Sequence, residues 1–556
     1  MKVLAKQPNV TENFYLQDDT LQNILKDKLP LPFFNYADRE LAIFGALCAG
    51  PIDERAKHTD REGEPRLVRY NKFGEETSHV WVNEGYKQTV KDTYNTGIVG
   101  YVHKEIPELG YRGNYIYSFA QGYLLSQSEP GFYCPVTLTM ATAYLLEHYA
   151  DDAVKKRFMP HVCSTGDVEL YEGATFLTER QGGSDVGANT VSAKLIDGTY
   201  HLYGEKYFAS NAGQCGVAMV LARIEGAAAG SKGLTLFAVP WHLEDGSLNG
   251  ITIRRLKDKL GVRAVPSGEV VFDHAKAYIV GDPSKGIYYM LEALNLSRIC
   301  NAAASVGIMQ RALQEAYTYT SARSAFSSQL THYPVIRHSL MKLKAKHHAK
   351  LVSLFDLIGL YDKVTAGNGT QEEQILVRLL IALTKKETAE QAIHFSHEAI
   401  ELHGGNGYIE DFVTPRLLRD AQVLTVWEGT ANILALELIR LVQKYNVQEL
   451  FLQAIEQRLS LLSPCYLTEI VERKLEETRE LLVQFTALDE AMQIFEAKAV
   501  MKQLVSLYES LNVVEYAKKH RGQGEQLAAV FLEEEWNLRS LGEQAKAIRY
   551  YEDIFI

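Results

Sequence analysis

Three short segments carry residue types that could do chemistry. The first is Val426-Trp427-Glu428-Gly429-Thr430-Ala431-Asn432, preceded by Arg416-Leu-Leu-Arg419-Asp420 and by His403-Gly404-Gly405-Asn406-Gly407. Glu428 adjoins Trp427 in an apolar neighbourhood that includes Val423, Leu424 and Val426. A carboxylate held against an apolar ring, away from water, has its pKa raised and becomes a stronger base. Gly429 lets the chain turn sharply before a helix that begins near Thr430. The same residues also fit a surface glutamate at a helix start, where the helix dipole favours negative charge.

The second segment, Thr178-Glu179-Arg180-Gln181-Gly182-Gly183-Ser184-Asp185, follows the short apolar run Ala174-Thr-Phe176-Leu. Paired glycines permit a tight turn and close approach of a ligand to peptide N–H groups, or simply a loop between strands. The third is Glu205-Lys206-Tyr207-Phe208-Ala209-Ser210-Asn211-Ala212. An aromatic ring two residues before a hydroxyl could stack on a flat cofactor while the hydroxyl bonds to it, and could equally be one half-buried strand.

The elements that must position these segments follow from periodicity. To about residue 165 the pattern is helical, with Leu41 to Ala49 and Thr137 to Leu146 apolar at helical spacing. Asp53 to Ser78 is charged, carries Pro and Gly, and reads as a loop excursion. The aromatic stripe from Tyr111 to Gln127 reads as core. Between residues 166 and 283 short β-rich runs appear: Val217 to Ala222, Leu234 to Pro240, Ile251 to Ile253 and Glu269 to Phe272. Asp197-Gly198, Asp245-Gly246 and Asn249-Gly250 supply turns, so a small antiparallel sheet or barrel is expected. Helical patterns return over 284–443, clearest at Ala302 to Tyr319 and Leu376 to Leu402, and again over 444–556. The expected fold class is therefore α+β, mostly α, in four segments: 1–165, 166–283, 284–443 and 444–556.

Bulk properties exclude several classes. A chain of 556 residues exceeds the roughly 250–300 at which single cores stop growing. With 46% hydrophobic and 23% charged residues it is globular rather than disordered. No apolar run approaches the ~20 residues of a membrane span, and Met1 to Val10 lacks the apolar stretch of a secretory signal. Six scattered cysteines without a CxxC pair suggest no metal site and no disulfide framework. Together these features predict a cytoplasmic protein. The net charge of −11 weighs against an anionic partner such as DNA.

Taken in order, the segments resemble the acyl-CoA dehydrogenases. The family's Thr-Glu, Gly-rich turn and Ser-Asp block is similar to Phe176 to Asp185. Its aromatic-x-Ser-Asn strand resembles Phe208 to Asn211, and its Lys-Leu-Gly-x-Arg turn resembles Lys259 to Arg263. Arg323-Ser-Ala-Phe326, Gly404 to Gly407, Arg419-Asp420 and Trp427 to Thr430 match further family elements. The resemblance runs from about Thr137 to Gln443. The Gln-Gly-Gly turn, the Arg254-Arg-Leu-Lys-Asp-Lys-Leu-Gly run, the Trp before Glu428 and the extra C-terminal helices are closest to the AidB-like branch.

The resemblance implies an N-terminal helical domain, a middle antiparallel β-domain, a C-terminal four-helix bundle with FAD between the last two, and an added helical domain. It implies Glu428 as the base that removes the α proton of an acyl-CoA thioester, with hydride passing to flavin N5. It assigns Phe176, Thr178, Gly183, Ser184, Phe208, Ser210, Trp427, Thr430 and Asn432 to the cofactor. Arg323, Phe326, Gly404 and Gly405 would serve a neighbouring subunit's FAD, in a homotetramer built as a dimer of dimers. Ser184 and Arg298 would act on the substrate side, Arg298 by steadying the Glu428 loop. An electron-transfer flavoprotein is one electron acceptor it allows. The sequence departs from the family pattern at Ser327, Pro334 and Glu401. The AidB branch also implies an alternative: a weak dehydrogenase that binds duplex DNA in alkylation-damage response. That reading is disfavoured because residues 441–556 hold 13 Lys and Arg against 19 Asp and Glu. An extra domain that instead narrows the choice of acyl chain is a third expectation.

Overall fold

The computed structural model describes residues 12–555, so the Met1 to Val10 reading lies outside the described residues. The chain forms two compact units, one of Asn35–Cys300 and one of Met1–Phe34 with Asn301–Ile556. No helix among the described residues is long and apolar enough to cross a membrane.

The described chain opens with α1 (Asp19–Lys28), capped by the Asp18 carboxylate accepting from Leu21 N–H at 3.0 Å, and α2 (Leu31–Leu47). Then come α3 (Asp53–Arg61), β1 (Arg66–Tyr70), β2 (Glu76–Trp81), α4 (Glu84–Tyr94), α5 (Gly100–His103), and the two-residue strands β3 (Glu105–Ile106) and β4 (Tyr111–Arg112). The expected loop over Asp53 to Ser78 is thus a helix and most of a hairpin. Asp53 and Glu54 in the first turn of α3, with His58 and Arg61 in its last, complement the helix dipole. Charge that reads as loop is here helix-compatible. The aromatic stripe forms α6 (Tyr115–Leu125), buried along its whole length, followed by α7 (Pro130–Tyr149) and α8 (Asp152–Val162).

The middle strands are β5 (Glu172–Phe176), β6 (Ser192–Ile196), β7 (Thr199–Ser210), β8 (Cys215–Ile224), β9 (Leu234–Pro240), β10 (Ile251–Leu256) and β11 (Ser267–Ile279). They make one seven-stranded sheet in the order β10-β11-β7-β6-β8-β5, with β9 against β8 and β11. Five pairings are antiparallel; β8 pairs in parallel with β5 and β6. Asp197 and Gly198, both at positive φ, close the β6–β7 hairpin with the turn its twist requires. Phe176, Leu202, Val220, Phe237, Trp241 and Phe272 belong to the core of this sheet. Gly173 lets α7 lie directly on β5, since a Cβ there would stand 2.3 Å from Thr142 Oγ1 and 2.9 Å from the Leu138 carbonyl.

Among the remaining described residues the elements are helices apart from one hairpin. They comprise α9 (Gly286–Ala322), β12 (Ser324–Ala325), β13 (Ser328–Gln329), α10 (Pro334–Thr365), α11 (Gln371–His403), α12 (Thr414–Leu424), α13 (Ala431–Tyr445), α14 (Val447–Ser460), α15 (Tyr466–Thr486), α16 (Glu490–Lys519), α17 (Gln523–Glu535), α18 (Lys546–Arg549) and α19 (Tyr551–Phe555). The helices after residue 444 pack into one core with α10, α11 and α13. Buried Lys350 of α10 is 2.6 Å from Glu509 of α16 and 3.1 Å from Glu387 of α11. Lys502 reaches Glu387 at 2.8 Å and Glu535 of α17 at 2.7 Å. Left-handed Asn446 alone joins α13 to α14. Near the other end of α14, Arg458 reaches Asp356 at 3.0 Å, Asn512 at 2.7 Å and Glu515 at 2.5 Å.

Glu172, at the start of β5, is fully buried with no ion-pair partner among the described residues, and its Oε1 has no hydrogen bond. Burial pushes its carboxyl up to about 7, partly offset by bonds to Tyr94 and Asn211. The folded state therefore holds a proton there that the unfolded chain releases near 4.5, so stability is present below about 4.5 and is lost as pH rises through 7. We expect the thermal midpoint to fall between pH 5 and 8, with Glu172 contributing up to about 3 kcal/mol. Glu172→Gln should flatten the profile, and an equal slope in both proteins contradicts the assignment.

Candidate functional site

In the Asn35–Cys300 unit, β5 delivers Thr178 into a loop closed by a buried ion pair. Lys206 Nζ of β7 donates to Glu179 Oε1 at 2.8 Å and to the Leu177 carbonyl at 3.2 Å. Glu179 also accepts from Thr190 N–H at 2.6 Å, Thr190 Oγ1 at 2.8 Å and Val191 N–H at 3.1 Å. Burial alone would raise the Glu179 carboxyl; Lys206 and the Thr190 bonds outweigh it and hold it below its usual range. Burial lowers the Lys206 ammonium to about 8 despite that partner. Tyr207 N–H donates to the Thr178 carbonyl at 3.0 Å, which sets the Thr178 loop beside Phe208.

Gly183 lies over the Thr178 hydroxyl, where a Cβ would meet Oγ1 at 2.6 Å. Ser184 and Asp185 are exposed and, with Val186 to Ala188, Gly230, Ser231, Ile287 and Leu291, line an open cleft of about 550 Å³. Arg223 ties the cleft's two loops by donating to the carbonyls of Gly187 at 3.1 Å and Gly230 at 2.9 Å, and to that of Ala228. Phe208 is 55% exposed, and Ser210 Oγ lies 3.2 Å from Ser267 Oγ. Thr178, Gly183, Phe208 and Ser210 are thus carried on adjoining segments. Phe176 differs: its side chain packs into the sheet core. Arg298, on α9, bonds Asn295 Oδ1 at 3.3 Å.

In the second unit, the turn between α12 and α13 presents Glu428 half-buried at φ +59°, followed by Gly429 at φ +99°. Two successive left-handed residues reverse the chain before α13. The non-glycine one costs roughly 1–2 kcal/mol, strain that persists only where surroundings enforce it. Buried Lys385 of α11 does so by donating to the Gly429 carbonyl at 2.7 Å, while Asn301 Nδ2 donates to the Leu424 carbonyl at 3.2 Å. Thr430 and Asn432 are exposed at the α13 N-terminus, and the Thr430 side chain makes no capping bond. Trp427 is half-buried beside them.

Arg323, Phe326, Gly404 and Gly405 gather at another end of this unit. The β12–β13 hairpin turns on Phe326 (φ +48°) and Ser327 (φ +67°), leaving the Phe326 ring 94% exposed. Both central positions of such a turn favour Asn or Gly, so Phe-Ser holds it under strain. Tyr319 of α9 stacks on His403 at 4.3 Å, and Asn406 Nδ2 donates to Tyr319 Oη at 3.0 Å. The Gly404–Gly405 turn therefore lies by the α9 end that leads to Arg323. The rise of α11 puts about 27 Å between Lys385, which holds the Glu428 turn, and His403. Glu401 is exposed and 3.6 Å from His397.

Sequence reading missed Lys206, the role of Glu179, Lys385, Asn301 and Arg223. Strand parity was the one usable signal: Lys206 shares the inward face of β7 with Leu202, and an inward lysine requires oxygen atoms around its ammonium.

Comparison with known proteins agrees along the chain. Residues 6–166 match the Adaptive response protein AidB N-terminal domain, 174–275 the acyl-CoA dehydrogenase middle domain, and 284–442 the acyl-CoA dehydrogenase C-terminal domain. The chain is 30% identical over 478 residues to acyl-CoA dehydrogenase family member 11 of Caenorhabditis elegans, covering 84% of this chain and 76% of that one. It is 31% identical over 389 residues to the putative acyl-CoA dehydrogenase AidB of Escherichia coli K12, covering 68% and 69%. The structure of C. elegans ACDH-11 in complex with C11-CoA superposes with a TM-score of 0.89 at 27% identity, covering 96% and 93%. An acyl-CoA dehydrogenase from Bacillus anthracis complexed with FAD gives 0.76 at 18% identity over 97% and 98%, a likeness of fold.

Replacing Lys206 by Met leaves Glu179 buried without its countercharge, a change worth about 3–5 kcal/mol. We expect a lower thermal midpoint and faster amide exchange across 178–191. An unchanged exchange pattern refutes the view that this pair holds the loop.

Proposed function

This chain belongs to the acyl-CoA dehydrogenase family, and on that premise we propose that it removes hydrogen from the Cα–Cβ bond of an acyl-CoA thioester with FAD as redox cofactor. The observation that carries the reading is Glu428 on a strained left-handed turn fixed by the buried Lys385 ammonium. The residues fit a flavin. An exposed aromatic face at Phe208, hydroxyls at Thr178 and Ser210, and a loop in which Gly183 lies directly over Thr178 suit a flat ring with polar edges. Thr178, Gly183, Ser184, Phe208, Ser210, Trp427, Thr430 and Asn432 would hold it. When bound, FAD supplies the hydride acceptor.

The chain's own part is alignment and proton removal. The α proton of a thioester is weakly acidic, so the base must be held in one place rather than found by diffusion. Glu428 would take that proton on its carboxylate, and the Lys385 bond to Gly429 keeps the carboxylate from swinging with the turn. Positioned general-base catalysis contributes roughly 10²–10⁴-fold. The separation along α11 supports a further reading. Gly404 and Gly405, with Arg323 and the exposed Phe326 ring, would serve the cofactor of a second copy, which requires at least a dimer and accords with a homotetramer. An electron-transfer flavoprotein would take the electrons onward.

The match to E. coli AidB supports a second reading, a weak dehydrogenase that binds duplex DNA. The excess of acidic residues over 441–556 ranks it lower.

Anaerobic titration with acyl-CoAs of graded length tests the first reading. The flavin band should bleach with some thioester, and Glu428→Gln should keep its flavin while bleaching at least 10²-fold more slowly. Bleaching at the wild-type rate in that variant removes Glu428 from its role; a flavin that no thioester reduces moves the function to the second reading. Gly183→Ala, whose new methyl must displace Thr178, should purify with markedly less flavin. Full occupancy there contradicts the cofactor assignment of this loop.

A further inference from the structure

Ser210 is the last residue of β7, and the chain leaves the strand at Asn211, which is fully buried and left-handed at φ +67°. Asn211 N–H donates to the Pro266 carbonyl at 2.8 Å, and its own carbonyl accepts from Gln214 N–H at 3.2 Å and Cys215 N–H at 3.0 Å. Its side-chain Nδ2 donates to the Gly173 carbonyl at 3.1 Å. One residue thus ties the end of β7 to β5, to the start of β8 and to the segment that leads into β11. Asparagine tolerates this backbone conformation better than most residues, but only the bonds around it select the one orientation of its amide.

Glu172 adjoins this turn. It precedes Gly173 on β5 and pairs in register with Cys215 of β8, and its buried carboxyl is in hydrogen-bonding contact with the side chains of Asn211 and of Tyr94 on α4. The Gly173 bond fixes the Asn211 nitrogen on one side, which leaves Oδ1 to find a donor on the other. Asn211 Oδ1 is buried without a hydrogen-bond partner, and so is Glu172 Oε1. Both are acceptors. Two buried acceptors on side chains in contact lack only a hydrogen, and a protonated carboxyl supplies it. The other groups around Glu172 are Tyr94 and Tyr86 of α4 and the Cys215 thiol. Tyr94 Oη lies 2.9 Å from Thr139 Oγ1 of α7, and Glu129 and Cys134 act on Tyr86. None of these is a cation, so burial without a countercharge holds the Glu172 carboxyl up to about 7.

We propose that Glu172, as the neutral acid, is a positioning residue: its carboxyl proton donates to Asn211 Oδ1, and through the Asn211 turn it sets Phe208 and Ser210. When Glu172 ionises, its oxygens compete with the Gly173 carbonyl for the single Asn211 amide nitrogen. The amide turns toward the carboxylate, the bond to Gly173 loosens, and the end of β7 is released. The strand that carries Phe208 and Ser210 is then ordered at low pH and loosened at high pH. The consequence for the flavin rests on the dehydrogenase reading; the pairing of Glu172 with Asn211 does not.

Two measurements on the full-length holoenzyme test this. In the first, amide hydrogen exchange over residues 207–216 is compared between wild type and Glu172→Gln at matched pH, so that the intrinsic pH dependence of exchange cancels. Glutamine can donate to Asn211 at every pH and carries no charge. The two proteins should exchange alike at pH 6, and the wild type at least threefold faster at pH 8.5. In the second, the rate of flavin reduction by an acyl-CoA is taken as the ratio of wild type to Glu172→Gln, in which titration of Glu428 is common to both. That ratio should fall at least threefold over the same interval. In an Asn211→Gly background, where the backbone conformation is tolerated and the amide is gone, both differences should vanish. A role in stability alone moves the thermal midpoint and leaves the reduction ratio independent of pH. An exchange ratio that does not change with pH, or that changes equally in Asn211→Gly, overturns the pairing. A pH-dependent exchange ratio with a constant reduction ratio overturns the positioning role. If no thioester reduces the flavin, the dehydrogenase reading fails by itself, and exchange still decides whether Glu172 holds the end of β7.

Discussion

A lysine ammonium loses most of its hydration when it leaves water, and it stays charged in a protein interior only where oxygen atoms replace that hydration. Three buried lysines meet this condition at positions on which much else depends. Lys206 is answered by Glu179 and the Leu177 carbonyl, Lys385 by the Gly429 carbonyl, and Lys350 by Glu387 and Glu509. Each bond joins an element of regular structure to a segment that would otherwise be free to choose its conformation. Lys206 joins β7 to the Thr178 loop, Lys385 joins α11 to the Glu428 turn, and Lys350 joins the bundle to the helices beyond it.

This division of labour separates rigidity from chemistry. Thr178, Ser184, Phe208 and Glu428 are at least partly accessible, as the ligand contacts proposed for them require. Their positions are set one step deeper, by groups that water and substrate never reach. Glu428 illustrates the advantage. A glutamate at positive φ would relax to an ordinary turn if Gly429 were free, and the carboxylate would then point elsewhere. The strain in the turn and the bond that maintains it form one device.

The residues proposed to touch ligands were legible in the sequence because they come in contiguous runs whose order is distinctive: Thr178 to Ser184, Phe208 to Ser210, Trp427 to Asn432. The residues that hold them were not, because each bond spans a long stretch of chain. Glu179 lies in the loop after β5 and Lys206 on β7, and Lys385 stands a helix and two turns before Gly429. Strand parity could have exposed Lys206, but nothing in the Ala-rich run around Lys385 distinguishes it from a solvated lysine. The helices over 284–443 were evident from periodicity. The α3 helix and the β1–β2 hairpin were not, since their polar faces look like loop until packing assigns an inside. Phe176 shows the opposite error: membership of a motif assigned its side chain to a ligand, while its environment assigns it to the core.

The single left-handed residue between α13 and α14 has a mechanical consequence. Asn446 is a pivot without slack, because no loop residues lie on either side to absorb a rotation. Helix α14 is a rod about 21 Å long, so a small change in two dihedral angles at its base is magnified into a displacement of several ångströms at its tip. The tip is where Arg458 grips Asp356, Asn512 and Glu515. The rod is thus pinned at the end where leverage is greatest, and the force needed to move it is carried by side chains of α10 and α16 rather than by the joint itself.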